Sequence, residues 1–152
     1  MEDLQALATW LAPQLAALTP QERRGLARQV AQDMRRANQA RIKAQADPDG
    51  AAFVPRKIPR APIRGKAGRI RRAMFEKLRT ARFMKAKGED AAAVVDFAGS
   101  AGRLAHVHHF GLRDRVNRSG GPEYSYPSRR LLGFAPEDIE RVTDLLLDHL
   151  AR

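Results

Sequence analysis

Pro55, Pro59 and Pro62 stand at the head of a stretch, Arg56 to Lys87, that holds 13 Lys or Arg and a single acid, Glu76. Each proline fixes φ and withholds a backbone donor, and each biases the residue before it towards extended backbone. Residues 51–65 accordingly show neither helical nor alternating periodicity. They read as an extended basic arm, counted from the turn at residue 47, with apolar studs at Phe53, Val54, Ile58 and Ile63. The 32 residues from Arg56 to Lys87 carry a formal charge of +12, and the other 120 sum to −1. At 152 residues the expectation is one compact body plus arms, a single domain over 1–152 with 47–65 as the arm.

The flanking segments are periodic. Leu4, Leu7, Leu11, Leu15 and Leu18 recur at spacings of three and four, which predicts an amphipathic helix over 3–18 with Asp3 as its cap and a kink or break at Pro13. Thr19-Pro20-Gln21-Glu22 has the form of a capping box, so a second helix is expected to run to Ala46. Leu26, Val30, Met34 and Ala37 would be its apolar stripe, and Asp47-Pro48-Asp49-Gly50 the turn that ends it. Ile70, Met74 and Leu78 predict a helix over 66–80. Alternation about Gly88-Glu89-Asp90 predicts a β-hairpin of 82–87 and 92–97.

A short helix is expected from Ala101, capped by Gly111, with Leu104, Val107 and Phe110 turned to the core. Residues 112–128 read as a polar loop, exposed at Leu112 to Arg115, broken at Asn117, Gly120, Gly121 and Pro122, with a short strand at 123–126. Ala135-Pro136-Glu137-Asp138 opens a last helix whose buried face is Ile139, Val142, Leu145, Leu146 and Leu150. The fold class is α+β: N-terminal helices, a basic proline-rich arm, a small antiparallel β-sheet and a C-terminal helix.

Little in the residues points to catalysis. There is no cysteine, which excludes disulfides and thiolate metal sites and fits a reducing, intracellular origin. The apolar runs fall short of the roughly 20 residues that span a bilayer, and the start, Met1 to Trp10, lacks the basic region of a signal peptide. A soluble, unexported chain is the expectation. His106 and His109 lie three apart on the expected helix, a spacing that suits zinc, but a site needs a third or fourth ligand, which only a fold bringing Asp96 or His149 close would supply. Packing or hydrogen bonding is therefore the expected role of His106, His108 and His109, and no metal or cofactor is predicted. Ser100, Ser119, Ser125 and Ser128 sit in no nucleophile elbow. Residues 99–105 lack the Lys-Ser/Thr end of a phosphate loop. An enzyme is not expected.

The basic stretch admits three readings: a solvated helix face with a flexible arm, a nonspecific DNA-binding surface acting through phosphates, or a strap that orders on contact with acidic protein.

Four stretches, 38–50, 77–87, 104–116 and 126–150, follow one another in an order and spacing that resembles the virion-morphogenesis or tail-completion family of contractile-tailed bacteriophages and Mu-like prophages. The most specific elements are the ending carried by His108, Phe110 and Gly111, and the Tyr-Pro-x-Arg-x-Leu-Leu-Gly element carried by Tyr126, Pro127, Arg129, Leu131, Leu132 and Gly133. The sequence departs from the pattern at His109, where an uncharged polar residue such as Gln is expected. The resemblance implies a non-enzymatic virion protein at the head-proximal end of the tail, in the neck, assembled in the host cytoplasm. It would form a homo-oligomeric ring, a hexamer, against tail tube or terminator and head-connector proteins, with possible nonspecific contact to passing DNA. The candidate partner-binding residues are Arg56, Lys57, Arg60 and Arg64 in the arm, Arg113 and Arg115 in the loop, and Arg129 and Arg130. Were histidine protonation to matter, assembly would respond across about pH 5.5–7.5, where unperturbed imidazole titrates.

Overall fold

A computed structural model of the chain describes residues 2–57, 73–116 and 121–152. The expected studs Ile58 and Ile63, the candidates Arg60 and Arg64, the 66–72 part of the third expected helix, and Asn117 and Gly120 lie outside them. Among the described residues there are four helices, α1 (Glu2–Ala16), α2 (Pro20–Lys43), α3 (Ala101–Phe110) and α4 (Pro136–Leu150). They combine with two two-stranded sheets, β1 (Met84–Gly88) with β2 (Ala93–Phe97) and β3 (Arg113–Arg115) with β4 (Glu123–Ser125). The α+β class follows directly.

The chain forms two compact units, the first from residues 1–37, 84–96 and 134–152, the second from 38–83 and 97–133. In the first, α1 begins at Glu2, so Asp3 is inside the helix rather than its cap, and the helix continues through Pro13. One main-chain hydrogen bond is forfeited there, but the leucine spacing is the same on both sides of the proline, and Leu11 is buried. The capping box of α2 forms as expected. The Thr19 N–H donates to Glu22 Oε2 at 2.8 Å, and the Glu22 N–H donates to Thr19 Oγ1 at 3.2 Å.

Leu26, Ala31, Met34 and Met84 complete the buried set of this unit, joined by Ala135. The hairpin sits down on α2 at Gly88: a Cβ there would meet Arg24 O and Arg28 N, closer than any side chain tolerates. In α4 the buried residue is Asp138, whose Oδ2 accepts the Ala135 N–H at 2.8 Å and whose Oδ1 accepts from Arg141 at 2.9 Å. Arg141 also reaches Asp33 at 2.9 Å. Partial burial works against the charged guanidinium, but the hydrogen bonds to Asp138 and Asp33 outweigh it and raise the Arg141 pKa. Ile139, Val142, Leu145, Leu146 and Leu150, expected as a buried face, are only half-buried, and the one buried position of α4 is Asp138.

In the second unit α2 stops at Lys43, three residues before the expected Ala46. Gln45 adopts a left-handed φ of 58° there. Its side-chain amide holds Ile42 O at 2.7 Å and both the N–H and the C=O of Met74 at 2.9 Å. The expected helix over 66–80 does not continue through its described part. Residues 73–80 are a series of turns, since Phe75 takes a φ of 63°, incompatible with a right-handed helix. The turn at Asp47 closes as predicted, with the Gly50 N–H on Asp47 O at 2.9 Å. Ile42, Phe53, Leu78, Ala101, Ala105, Val107 and Leu131 form the buried apolar set.

α3 spans the expected residues but exposes a different face. Ala101, Ala105 and Val107 are buried, while Leu104 and Phe110, expected inside, are 48% and 60% exposed. The small alanines allow close approach, and the larger side chains are left outside. Leu112 to Arg115, expected as exposed loop, instead contributes β3, which pairs antiparallel with β4 in the register Arg113↔Ser125, Asp114↔Tyr124 and Arg115↔Glu123.

Candidate partner-binding groove

The His-x-Phe-Gly ending of α3, His108 to Gly111, and the Tyr-Pro-x-Arg-x-Leu-Leu-Gly element meet in the second unit, and the reason is local. Gly111 ends α3 at a φ of 65°, and a Cβ on it would stand 2.8 Å from Ser128 N. The glycine therefore permits both the left-handed cap and the passage of residues 126–131 against the end of the helix. That passage is tied at nearly every step. The Tyr126 N–H donates to Leu112 O at 3.1 Å and the Arg129 N–H to His108 O at 2.7 Å. The Ser128 hydroxyl donates to His109 O at 2.8 Å, and the Leu131 N–H to His109 Nδ1 at 3.2 Å. Gly133 closes the run, its N–H on Asn38 Oδ1 at 3.1 Å and its carbonyl accepting from Arg41 at 2.8 Å.

Arg129, expected to face a partner, is instead 5% exposed. Its Nε donates to Val54 O at 2.7 Å and its Nη2 to Pro55 O at 3.0 Å, so the guanidinium fixes the start of the proline-rich segment against the second unit. Proline supplies no N–H of its own, and a planar five-donor group answers consecutive carbonyls that no strand reaches. Phe53 is buried beside this anchor, with its ring edge-on to Phe75 at 5.8 Å. The expected free arm is therefore held from 53 to 55. Desolvation lowers the Arg129 pKa.

Arg130 is also engaged. Its main-chain N–H donates to Asp47 Oδ1 at 2.9 Å, and its half-exposed side chain pairs with Asp49 at 2.9 Å. Arg113 pairs with Glu123 across β3 and β4 at 2.9 Å, and Arg115 is exposed. Of the arm candidates, Arg56 and Lys57 are exposed, with Lys57 Nζ 5.0 Å above the Tyr124 ring. The bonds by which Asn38, Gln45 and Asp47 hold the site together are not written in the sequence, where Asp47 is legible only as the start of a turn. Each acts through partners that are distant along the chain.

His108 is enclosed by Phe75, Tyr126 and Arg129. Ring centroids lie at 4.9 and 4.7 Å, and Arg129 Nη1 is 3.4 Å from Nδ1. Burial first, and then the Arg129 charge, lower its pKa to about 4. The His109 pKa is likewise lowered, by burial and then by the Arg130 charge, with Asp47 opposing. His108 therefore titrates below the pH 5.5–7.5 window expected of a free imidazole. His106 is exposed, its ring 4.8 Å from that of Phe110. Among the described residues no three His, Asp or Glu converge as a metal-ligand set.

Beside His108 lies an open groove of about 910 Å³. Phe75, Leu104, Val116, Tyr124 and Tyr126 contribute its apolar and aromatic wall, and its charged rim holds Arg56, Lys57 and Lys77 with the acids Glu76 and Glu123, the latter paired with Arg113. Leu104 and Val116 are 48% and 55% exposed. Such a surface can bury apolar side chains between charged groups.

No solved structure matches the chain significantly. The tail completion protein S of Escherichia phage P2 is 38% identical over 139 residues, covering 91% of each chain. Residues 2–151 match the phage virion morphogenesis family. With the match running through both units and both motif elements, this chain belongs to the phage virion morphogenesis family.

Proposed function

We propose that the chain is a non-enzymatic structural protein of the phage tail, which completes the head-proximal end and makes the tail competent to join a head. It acts in the neck of the virion as a single-domain protein in a homo-oligomeric, hexameric ring, next to tail tube or terminator and head-connector proteins. The observation that carries this reading is the 91% coverage shared with a tail completion protein. The site geometry supports it: the motif residues are committed to internal hydrogen bonds, leaving an apolar groove with a basic rim to meet other proteins. Rings of this kind use heterologous interfaces, in which one patch meets a different patch on the next copy.

The test mixes purified protein with tails assembled in its absence, recovers the tails by sedimentation, and locates bound protein by electron microscopy. Binding confined to the head-proximal end, with head joining restored, is the expected result. Absence of tail binding would overturn the reading. The charge of +12 between Arg56 and Lys87 favours one second reading, nonspecific DNA binding. It predicts retention of DNA without tails, with affinity falling steeply as log salt rises.

A further inference from the structure

The two units differ sharply in charge. The second holds 19 of the 28 Lys and Arg and five of the 17 acids, for a net +14, and the first holds nine against twelve, for −3. In the first unit the acids concentrate on α4, which has five against Arg141 alone. Asp138 and Arg141 are spent on each other and on Asp33. The remaining four, Glu137, Glu140, Asp144 and Asp148, are all exposed, and spacings of three, four and four place them along one face of the helix. Leu147, 41% exposed, adjoins that face.

We infer that the groove of the second unit receives α4 of another copy of this chain, with Leu147 entering between the aromatic side chains and the acidic face meeting Arg56, Lys57 and Lys77. Charge complementarity selects this occupant. The groove has an apolar wall and a rim on which Arg56, Lys57 and Lys77 outnumber Glu76 and the Arg113-paired Glu123, and α4 combines an apolar edge with a row of acids. The contact is heterologous, because groove and helix are different surfaces of the same chain, so copies joined this way add head to tail. The inference rests on the ring reading above and supplies its interface.

The experiment uses the full chain and two variants at exposed positions, a groove variant Lys57→Glu/Lys77→Glu and a helix variant Glu140→Lys/Asp144→Lys, each checked for wild-type circular dichroism. Sedimentation velocity in low salt should show wild-type association that weakens as salt screens the contact. Each variant alone should associate at least about tenfold more weakly, since like charges then face one another. Mixing the two should restore association, because each then meets a complementary surface on the other. A wild-type chain that stays monomeric to about 100 μM, or a mixture no more associated than its components, overturns the inference; a monomer would also be the result if α4 filled the groove of its own chain. Tail binding by the wild type is scored separately. Tails still capped by wild-type protein when the charge-swap test fails would remove this interface and leave the tail role standing.

Discussion

Replacing Arg129 should unfold the second unit far more readily than replacing any other arginine named here. In Arg129→Ala the carbonyls of Val54 and Pro55 lose their donors, which stand at 2.7 and 3.0 Å. Hydrogen bonds from a charged donor contribute roughly 1.5–3 kcal/mol each, so the upper limit is about 6 kcal/mol. Two terms reduce it. Val54 and Pro55 are themselves exposed, so water can reach the freed carbonyls, and the cost of burying the guanidinium is recovered. A loss of about 2–4 kcal/mol is expected, or roughly 5–12 °C in Tm for a chain of this size. Urea denaturation followed by circular dichroism measures it. Arg129→Lys, with one point charge in place of a fork, should recover less than half, and Arg103→Ala, at an exposed arginine paired with Asp114, should leave the urea midpoint nearly unchanged. If Arg129→Ala lies within about 0.5 kcal/mol of wild type, the guanidinium does not secure the proline-rich segment.

Other expectations follow from single contacts. Gly88→Ala must push β1 away from the α2 backbone and should cost about 2–4 kcal/mol, while Gly111→Ala combines a φ of 65° with the Ser128 contact and should cost about 2 kcal/mol, both read by thermal melting. Thr19→Ala removes half of a capping box and should cost about 1 kcal/mol. His108 has a folded pKa of about 4 against 6.5 when unperturbed, so the unfolded chain binds more protons between these values. Stability should be fully present above about pH 6.5 and fall as pH drops towards 4, by about 2 kcal/mol, with His108→Asn flattening that part of the profile. A wild-type profile already flat over this range would place His108 in water.

Local chemistry made much of the fold legible. The Thr19 to Glu22 box, the Asp47 to Gly50 turn, the hairpin and the Gly111 cap are written in adjacent residues, and all four form. The helix predicted through Met74 was unreadable as turns because its periodicity is real, and what overrides it is the Gln45 amide, 29 residues away, gripping both main-chain groups of Met74. Leu104 and Phe110 were misassigned to the core for a related reason. Size suggests burial, but α3 packs through alanines. The groove was legible only in part. Arg56 and Lys57 are legible as candidates, yet Arg129, though part of a motif element, reads as a base facing a partner, since nothing near it in sequence reveals two proline-flanking carbonyls 74 and 75 residues earlier.

Those separations also give the chain a temporal order. Asp33 to Arg141 spans 108 residues and Asn38 to Gly133 spans 95. Both units thus take their closing contacts from the last quarter of the sequence. The early helices lack these closing partners until residues 126–152 are available, and a chain truncated before Tyr126 closes neither unit. Loop closure over such distances slows folding. Partial products ending before Tyr126 therefore lack the groove, which takes Tyr126 and Arg129 into its lining, and subunits become competent to assemble only once this segment is in place.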